Sequence, residues 1–169
     1  MKRRYIANIH IQQLTVYTLL FPLIFSVNIA EAKEIIGIYE KIKINSVGLI
    51  FKAKIDTGAK NSSLNIRDIH LAQRKGKIWV KFQITDKDGK SALLDKPLER
   101  FAKIKRKNAS TQQRPVVMLD VCLGGIQKKV EVNLVDRSNF NYQMLIGRSF
   151  INGDFIVDVD KSYTTKPHC

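Results

Sequence analysis

The sequence predicts an all-β domain. Three observations carry this: strand-length β-rich runs recur through residues 34–159, no long stretch keeps helical periodicity, and turn signals such as Asp88-Gly89 and Gly124-Gly125 separate the runs. The chain has 169 residues, 44% of them hydrophobic, with 9 Gly and 4 Pro, which suits a single core. This composition excludes collagen, a disulfide-stapled mini-protein and a wholly disordered chain. The 29 Lys+Arg against 15 Asp+Glu give a formal charge of +14, which implies affinity for anionic surfaces but does not specify a fold.

Taken in order, Glu34 to Ile44 reads as a first strand and Val47 to Ile55 as a second, joined by a turn at Asn45-Ser46. Lys77 to Thr85 alternates, with Ile78, Val80, Phe82 and Ile84 on one face and Trp79, Lys81 and Gln83 on the other. Asp88-Gly89 predicts a hairpin turn. Pro115 to Leu123 and Ile126 to Val135 predict a second hairpin about Gly124-Gly125, and Asp154 to Val159 a last strand. Two short stretches read as helical, Asp68 to Gln73 and the residues after Arg148. Lys103 to Arg114 is polar, basic and without periodicity, and reads as a mobile loop. The strand spacing suits a small sandwich or barrel.

The first 32 residues have the order of a secretory signal peptide. Lys2, Arg3 and Arg4 precede an apolar stretch from Leu14 to Ala30, and Ala30-Glu31-Ala32 closes it with a small-x-small cleavage pattern. Cleavage after Ala32 makes residues 33–169 the mature domain, periplasmic or secreted. The alternative is an N-terminal membrane anchor, although the apolar run contains Pro22 and is at the short limit for a span. Export would place Cys122 and Cys169 where a disulfide is permitted. The plainer expectation is that they are unpaired, because Cys169 is the last residue and termini fray.

The chemistry-bearing stretch is Asp56-Thr57-Gly58-Ala59, at the end of the second strand. Asp56 supplies a carboxylate. The Thr57 hydroxyl is expected to bond back to the main chain and stiffen the turn, and Gly58 to let a backbone N–H approach the carboxylate. Later in the chain, Met144-Leu145-Ile146-Gly147-Arg148 reads as a buried strand beneath that turn, with Gly147 leaving room for it.

These two stretches resemble a retropepsin-type aspartic protease. More closely, the chain resembles a bacterial retropepsin-like family, also known under an ATP-dependent zinc protease label. The resemblance lies at KIDTGAKNSSL (Lys54 to Leu64), RPVV (Arg114 to Val117), LGG (Leu123 to Gly125), LIGRSF (Leu145 to Phe150) and FIVD (Phe155 to Asp158), and runs from Gly37 to Tyr163. It implies that residues 33–169 form a small closed β-barrel with one short C-terminal helix. It also implies an active site shared by a homodimer, with Asp56 of each copy activating water to cleave a peptide or protein substrate. Thr57 and Gly58 would complete the catalytic turn. Ala59, Lys60, Ile146 and Gly147 would contact substrate, and Arg148 would support the turn. Retroviral enzymes carry Asp after D-T-G-A, where this chain has Lys60, so Arg148 must find another carboxylate, such as Asp68 or a C-terminal Asp, or stay solvated. A substrate cover is expected from the Asp86–Gly89 hairpin or from Lys103 to Arg114. Lys60 and that basic segment point to an acidic substrate, or are solvated surface charge.

No cofactor or metal is expected. The three histidines are His10, His70 and His168, and neither H-E-x-x-H, C-x-x-C nor a P-loop occurs. Nucleic-acid binding rests on charge alone, since Trp79 stands by itself among the basic residues. The principal alternative to an exported aspartic endopeptidase is a non-catalytic periplasmic module on the same barrel, gripping peptide or anionic envelope components.

Overall fold

A computed structural model describes residues 32–106 and 109–169. Residues 1–31 of the expected signal peptide therefore lie outside the described residues, and residues 32–169 form a compact unit. Among the described residues, eleven strands and one short helix follow one another: β1 (Glu34–Ile44), β2 (Leu49–Ile55), β3 (Ser62–Asn65), β4 (Arg67–Arg74), β5 (Lys77–Thr85), β6 (Ser91–Pro97), β7 (Arg100–Arg106), β8 (Ala109–Leu123), β9 (Ile126–Val135), β10 (Met144–Ile146), α1 (Arg148–Ile151) and β11 (Phe155–Ser162). The fold is all-β, as its alternating runs predict.

The main sheet has the order β11-β1-β2-β10-β3-β9-β8-β7. β1 also pairs with β8, at Lys43↔Cys122 and Ile44↔Val121, and so closes β1, β2, β10, β3, β9 and β8 into a ring. Closure buries the inward positions of each strand. In β1 these include Ile36, Ile42 and Ile44, in β2 Phe51, Ala53 and Ile55, and in β8 Val117, Leu119 and Val121. Their alternation with exposed residues is the period-two pattern visible in the sequence. β4, β5 and β6 form a separate three-stranded sheet whose Val80, Phe82 and Ile84 join the same core.

Two sequence expectations are corrected here. Asp68 to Gln73 is not helical but lies in β4, paired with β5 from Arg67↔Gln83 to Arg74↔Lys77. Every residue of β4 is exposed, so no burial period marks it, and cross-strand hydrogen bonding alone decides its conformation. The described parts of the Lys103 to Arg114 stretch are not a loop: residues 103–106 lie in β7 and 109–114 in β8, with Lys103↔Gln113 and Ile104↔Gln112 in register, while residues 107 and 108 lie outside the described residues.

The C-terminus is tied down. Cys122 and Cys169 form a disulfide, against the expectation of two unpaired thiols. The frayed-terminus argument fails because residues 163–169 have long-range partners. Tyr163 N donates to Tyr39 O (2.6 Å) and His168 N to Gly124 O (2.9 Å). The fully buried Glu40 carboxylate accepts from Gly37 N (2.7 Å), Thr164 N (3.0 Å) and Thr164 Oγ1 (2.6 Å), so a strand residue and the tail satisfy one charge together.

Candidate active site

β2 and β10 run parallel, with Ile146 beside Ile55. Both therefore end at the same edge, where the Asp56 turn leaves the sheet. Asp56 N donates to Ile146 O (2.8 Å), which fixes the turn's first residue to β10. The turn then folds back on its own carboxylate. Asp56 Oδ1 accepts from Gly58 N (3.0 Å) and Ala59 N (3.2 Å). A Cβ at Gly58 would stand 3.3 Å from that oxygen, tight enough to disturb the approach. Asp56 is half-buried, while Thr57, Gly58 and Lys60 are exposed. Oδ2 makes no hydrogen bond among the described residues.

The segment after β10 fastens the turn from behind. Arg148 N donates to Ala59 O and Ser149 N to Lys60 O, both at 2.9 Å, so the first N–H groups of α1 are satisfied by the Asp56 turn itself. Gly147 N donates to Ser62 Oγ (3.1 Å). Lys128 holds the other end of α1, with Nζ donating to Phe150 O (2.6 Å) and Asn152 O (3.0 Å) and pairing with Asp154.

Arg148 resolves the missing-carboxylate question in a way the sequence did not anticipate. Its Nη1 donates to Thr57 O (2.7 Å) and Gly58 O (2.9 Å), so its partners are main-chain carbonyls rather than Asp68 or a C-terminal Asp. It thereby takes over the stiffening expected of Thr57, whose hydroxyl makes no hydrogen bond among the described residues. Ala59 and Lys60 lie on the turn as expected, and Lys60 lines an open groove of about 820 Å³ with Thr57, Arg148, Ile151 and Phe155. Ile146 and Gly147, expected to contact substrate, are instead buried beneath the turn. A Cβ at Gly147 would come within 2.6 Å of Asn61 C and 2.8 Å of Lys60 O, both backbone atoms. Gly147→Ala is therefore expected to push the turn outward, costing about 1–3 kcal/mol in denaturant unfolding and reducing turnover by more than that loss of stability explains.

Asp56 itself lines a second cleft of about 350 Å³, together with Tyr39, Lys54, Arg137, Phe140 and Tyr142. Tyr39 and Tyr142 stack with ring centroids 4.5 Å apart. Burial pushes the Arg137 guanidinium below its ordinary range and the Arg114 charge adds to this, while the Asp56 carboxylate works against both. The reading of the sequence missed these residues. The one signal available was position: Arg137 to Tyr142 directly precede the Met144–Gly147 stretch. Farther round the site, Arg100 of β7 holds the Glu131 carboxyl below the usual carboxylate range, with Asn61 also donating to it (2.9 Å). That contact ties the hairpin stem to the chain following the turn. Among the described residues no group of three or more His, Cys, Asp or Glu is placed to hold a metal ion, and no helix is long and apolar enough to cross a membrane.

The RimB-like family model, described as retropepsin-like aspartic endopeptidase RimB, matches residues 35–168. Among curated proteins, a probable alpha-L-glutamate ligase of Shewanella pealeana is 30% identical over 139 residues, which are 79% of this chain and 30% of that protein. A probable alpha-L-glutamate ligase of Parasynechococcus marenigrum is 28% identical over 135 residues, 78% of this chain and 29% of its own length. The match thus spans less than a third of these relatives. A crystal structure of a Legionella pneumophila protein of unknown function superposes with a TM-score of 0.70 and 32% identity, covering 80% of this chain and all of that one.

Proposed function

This chain belongs to the RimB-like family of retropepsin-like aspartic endopeptidases, and from that premise we propose that it hydrolyses peptide bonds with a water held between two Asp56 carboxylates, one from each of two copies. The observation that carries the reading is the turn. Asp56 is half-buried at the meeting point of two parallel strands, one oxygen is held by two backbone N–H groups, and D-T-G occurs once in the chain. One copy therefore supplies half of a carboxylate pair. Two carboxylates about 3 Å apart cannot both ionise readily, so they share a proton and titrate together. The ionised member takes a proton from water as it attacks the scissile carbonyl, and the protonated member donates to the carbonyl oxygen. No covalent intermediate with the protein is needed.

The substrate in this reading is an acidic peptide or protein segment. Lys54 and Arg137 line the cleft that includes Asp56, Lys60 and Arg148 line the groove that includes Thr57, and the curated relatives are named for glutamate ligation. Export completes the reading: the Cys122–Cys169 disulfide supports a periplasmic or secreted mature chain, since such bonds persist in oxidising compartments.

The shared site is tested by dilution. Wild-type protein co-refolded with an equal amount of Asp56→Asn is expected to place both acids in only about one quarter of the dimers, halving the activity per wild-type chain. Activity per wild-type chain that stays constant across mixing ratios would rule out a site built from two copies.

A further inference from the structure

The cleft beside Asp56 contains a cation that the hydrolytic step does not use. Arg137 follows β9 and is only 8% exposed, yet it lines the cleft. Its Nε donates to Tyr142 O (3.1 Å), Nη1 lies 3.4 Å from Ser63 Oγ, and the guanidinium sits 4.4 Å from the centre of the Phe140 ring. No ion pair among the described residues includes it. A guanidinium has five N–H donors in a rigid fork, and these contacts engage only part of them. Burying a cation is costly unless it is paired, and the nearby anion is the Asp56 carboxylate, which lines the same cleft and favours the Arg137 charge without forming an ion pair with it.

We infer that Arg137 is a carboxylate anchor, which takes the carboxylate of a substrate residue next to the scissile bond through the N–H donors its own chain leaves unused. The inference rests on the peptidase reading and adds to it a specificity-determining residue. A fork of parallel donors matches the two oxygens of a carboxylate, which a lysine ammonium does not. The stacked Tyr39 and Tyr142 rings offer a flat wall for the methylene carbons behind such a group, and Lys54 adds a second positive charge in the same cleft. Two sources present this chemistry: an Asp or Glu side chain, and the terminal carboxylate of a short peptide.

Arg137 also has a structural role open to it, because its main-chain N donates to Asn65 Oδ1 (2.6 Å) and its side chain pins Tyr142. The test therefore begins with the unaltered protein. Fluorogenic peptides are matched in pairs, Glu against Gln at each position flanking the cleaved bond, and free against amidated C-terminus. One of these exchanges is expected to lower kcat/KM by about 10- to 100-fold, mostly through KM, and the exchange that does so identifies the source of the carboxylate. Arg137→Gln is expected to collapse that discrimination and Arg137→Lys to retain part of it, with thermal unfolding of each variant confirming the fold. Wild-type protein that cleaves every member within about twofold overturns the anchor, as does an Arg137→Gln variant that folds and still discriminates fully. A wild-type protein that cleaves none of the peptides overturns the peptidase reading itself, which is a distinct result.

Discussion

Asp56→Asn is expected to lower kcat by about a thousandfold or more while leaving the fold in place. The chemical reason is that an amide can neither take a proton from water nor share one with a second carboxyl, so a dimer substituted in both copies loses the base and the acid of the pair together. The structural reason for an intact fold is equally specific. The bonds that shape the turn inside one copy are those from Gly58 N and Ala59 N to Oδ1, and the side-chain carbonyl of Asn can accept both. The remaining fastenings, Asp56 N to Ile146 O and Arg148 to the Thr57 and Gly58 carbonyls, do not involve the carboxylate. Peptide cleavage measured from acidic to neutral pH, with circular dichroism and thermal unfolding of both proteins, tests this. Undiminished turnover in a folded Asp56→Asn protein would remove Asp56 from the chemistry. Loss of turnover with peptide binding preserved would separate the hydrolytic centre from the grip on substrate.

The largest expected effect on stability comes from the disulfide. Cys122 and Cys169 are separated by 47 residues, and cross-linking a loop of that size restricts the unfolded chain by about 2–4 kcal/mol. Cys169→Ser should lower stability by that amount in urea, and reductant should do the same to the wild-type protein while leaving the variant unchanged. Part of the cost arises in the folded state. The bond anchors the tail that supplies Thr164 to the buried Glu40 carboxylate, and the Cys169 carbonyl also accepts from Lys43 Nζ (2.8 Å). A frayed tail would leave that carboxylate short of partners, and buried charge is poorly tolerated unless it is bonded. Equal stability with and without reductant, together with two titratable thiols in the native protein, would contradict the pairing.

The readable parts of this chain were those whose information is local. Alternation in β1, β5 and β9 follows from one face being buried, and the turns at Asp88-Gly89 and Gly124-Gly125 follow from residues that accept positive φ, as Gly89 and Gly124 do. The unreadable parts lacked such a signature. β4 is exposed on every residue, so it carries no burial period, and Lys103 to Arg114 is a polar, basic stretch with almost no apolar residues to alternate. Both are strands because a neighbouring strand supplies their hydrogen bonds.

The same division runs through the candidate site. The order of residues alone determined an all-β chain, the Asp56-Thr57-Gly58 turn at the end of a strand, and a later apolar stretch with a glycine to pass beneath it. Only the tertiary structure decided that Arg148 holds the turn by two carbonyls about ninety positions earlier, that Ile146 and Gly147 support the turn from below, that Arg137 enters the cleft, and that Cys169 reaches Cys122. The physical reason is that a strand's pattern records which of its faces is dry, whereas the partner of a side chain is set by sheet register and closure, which join residues far apart in the chain.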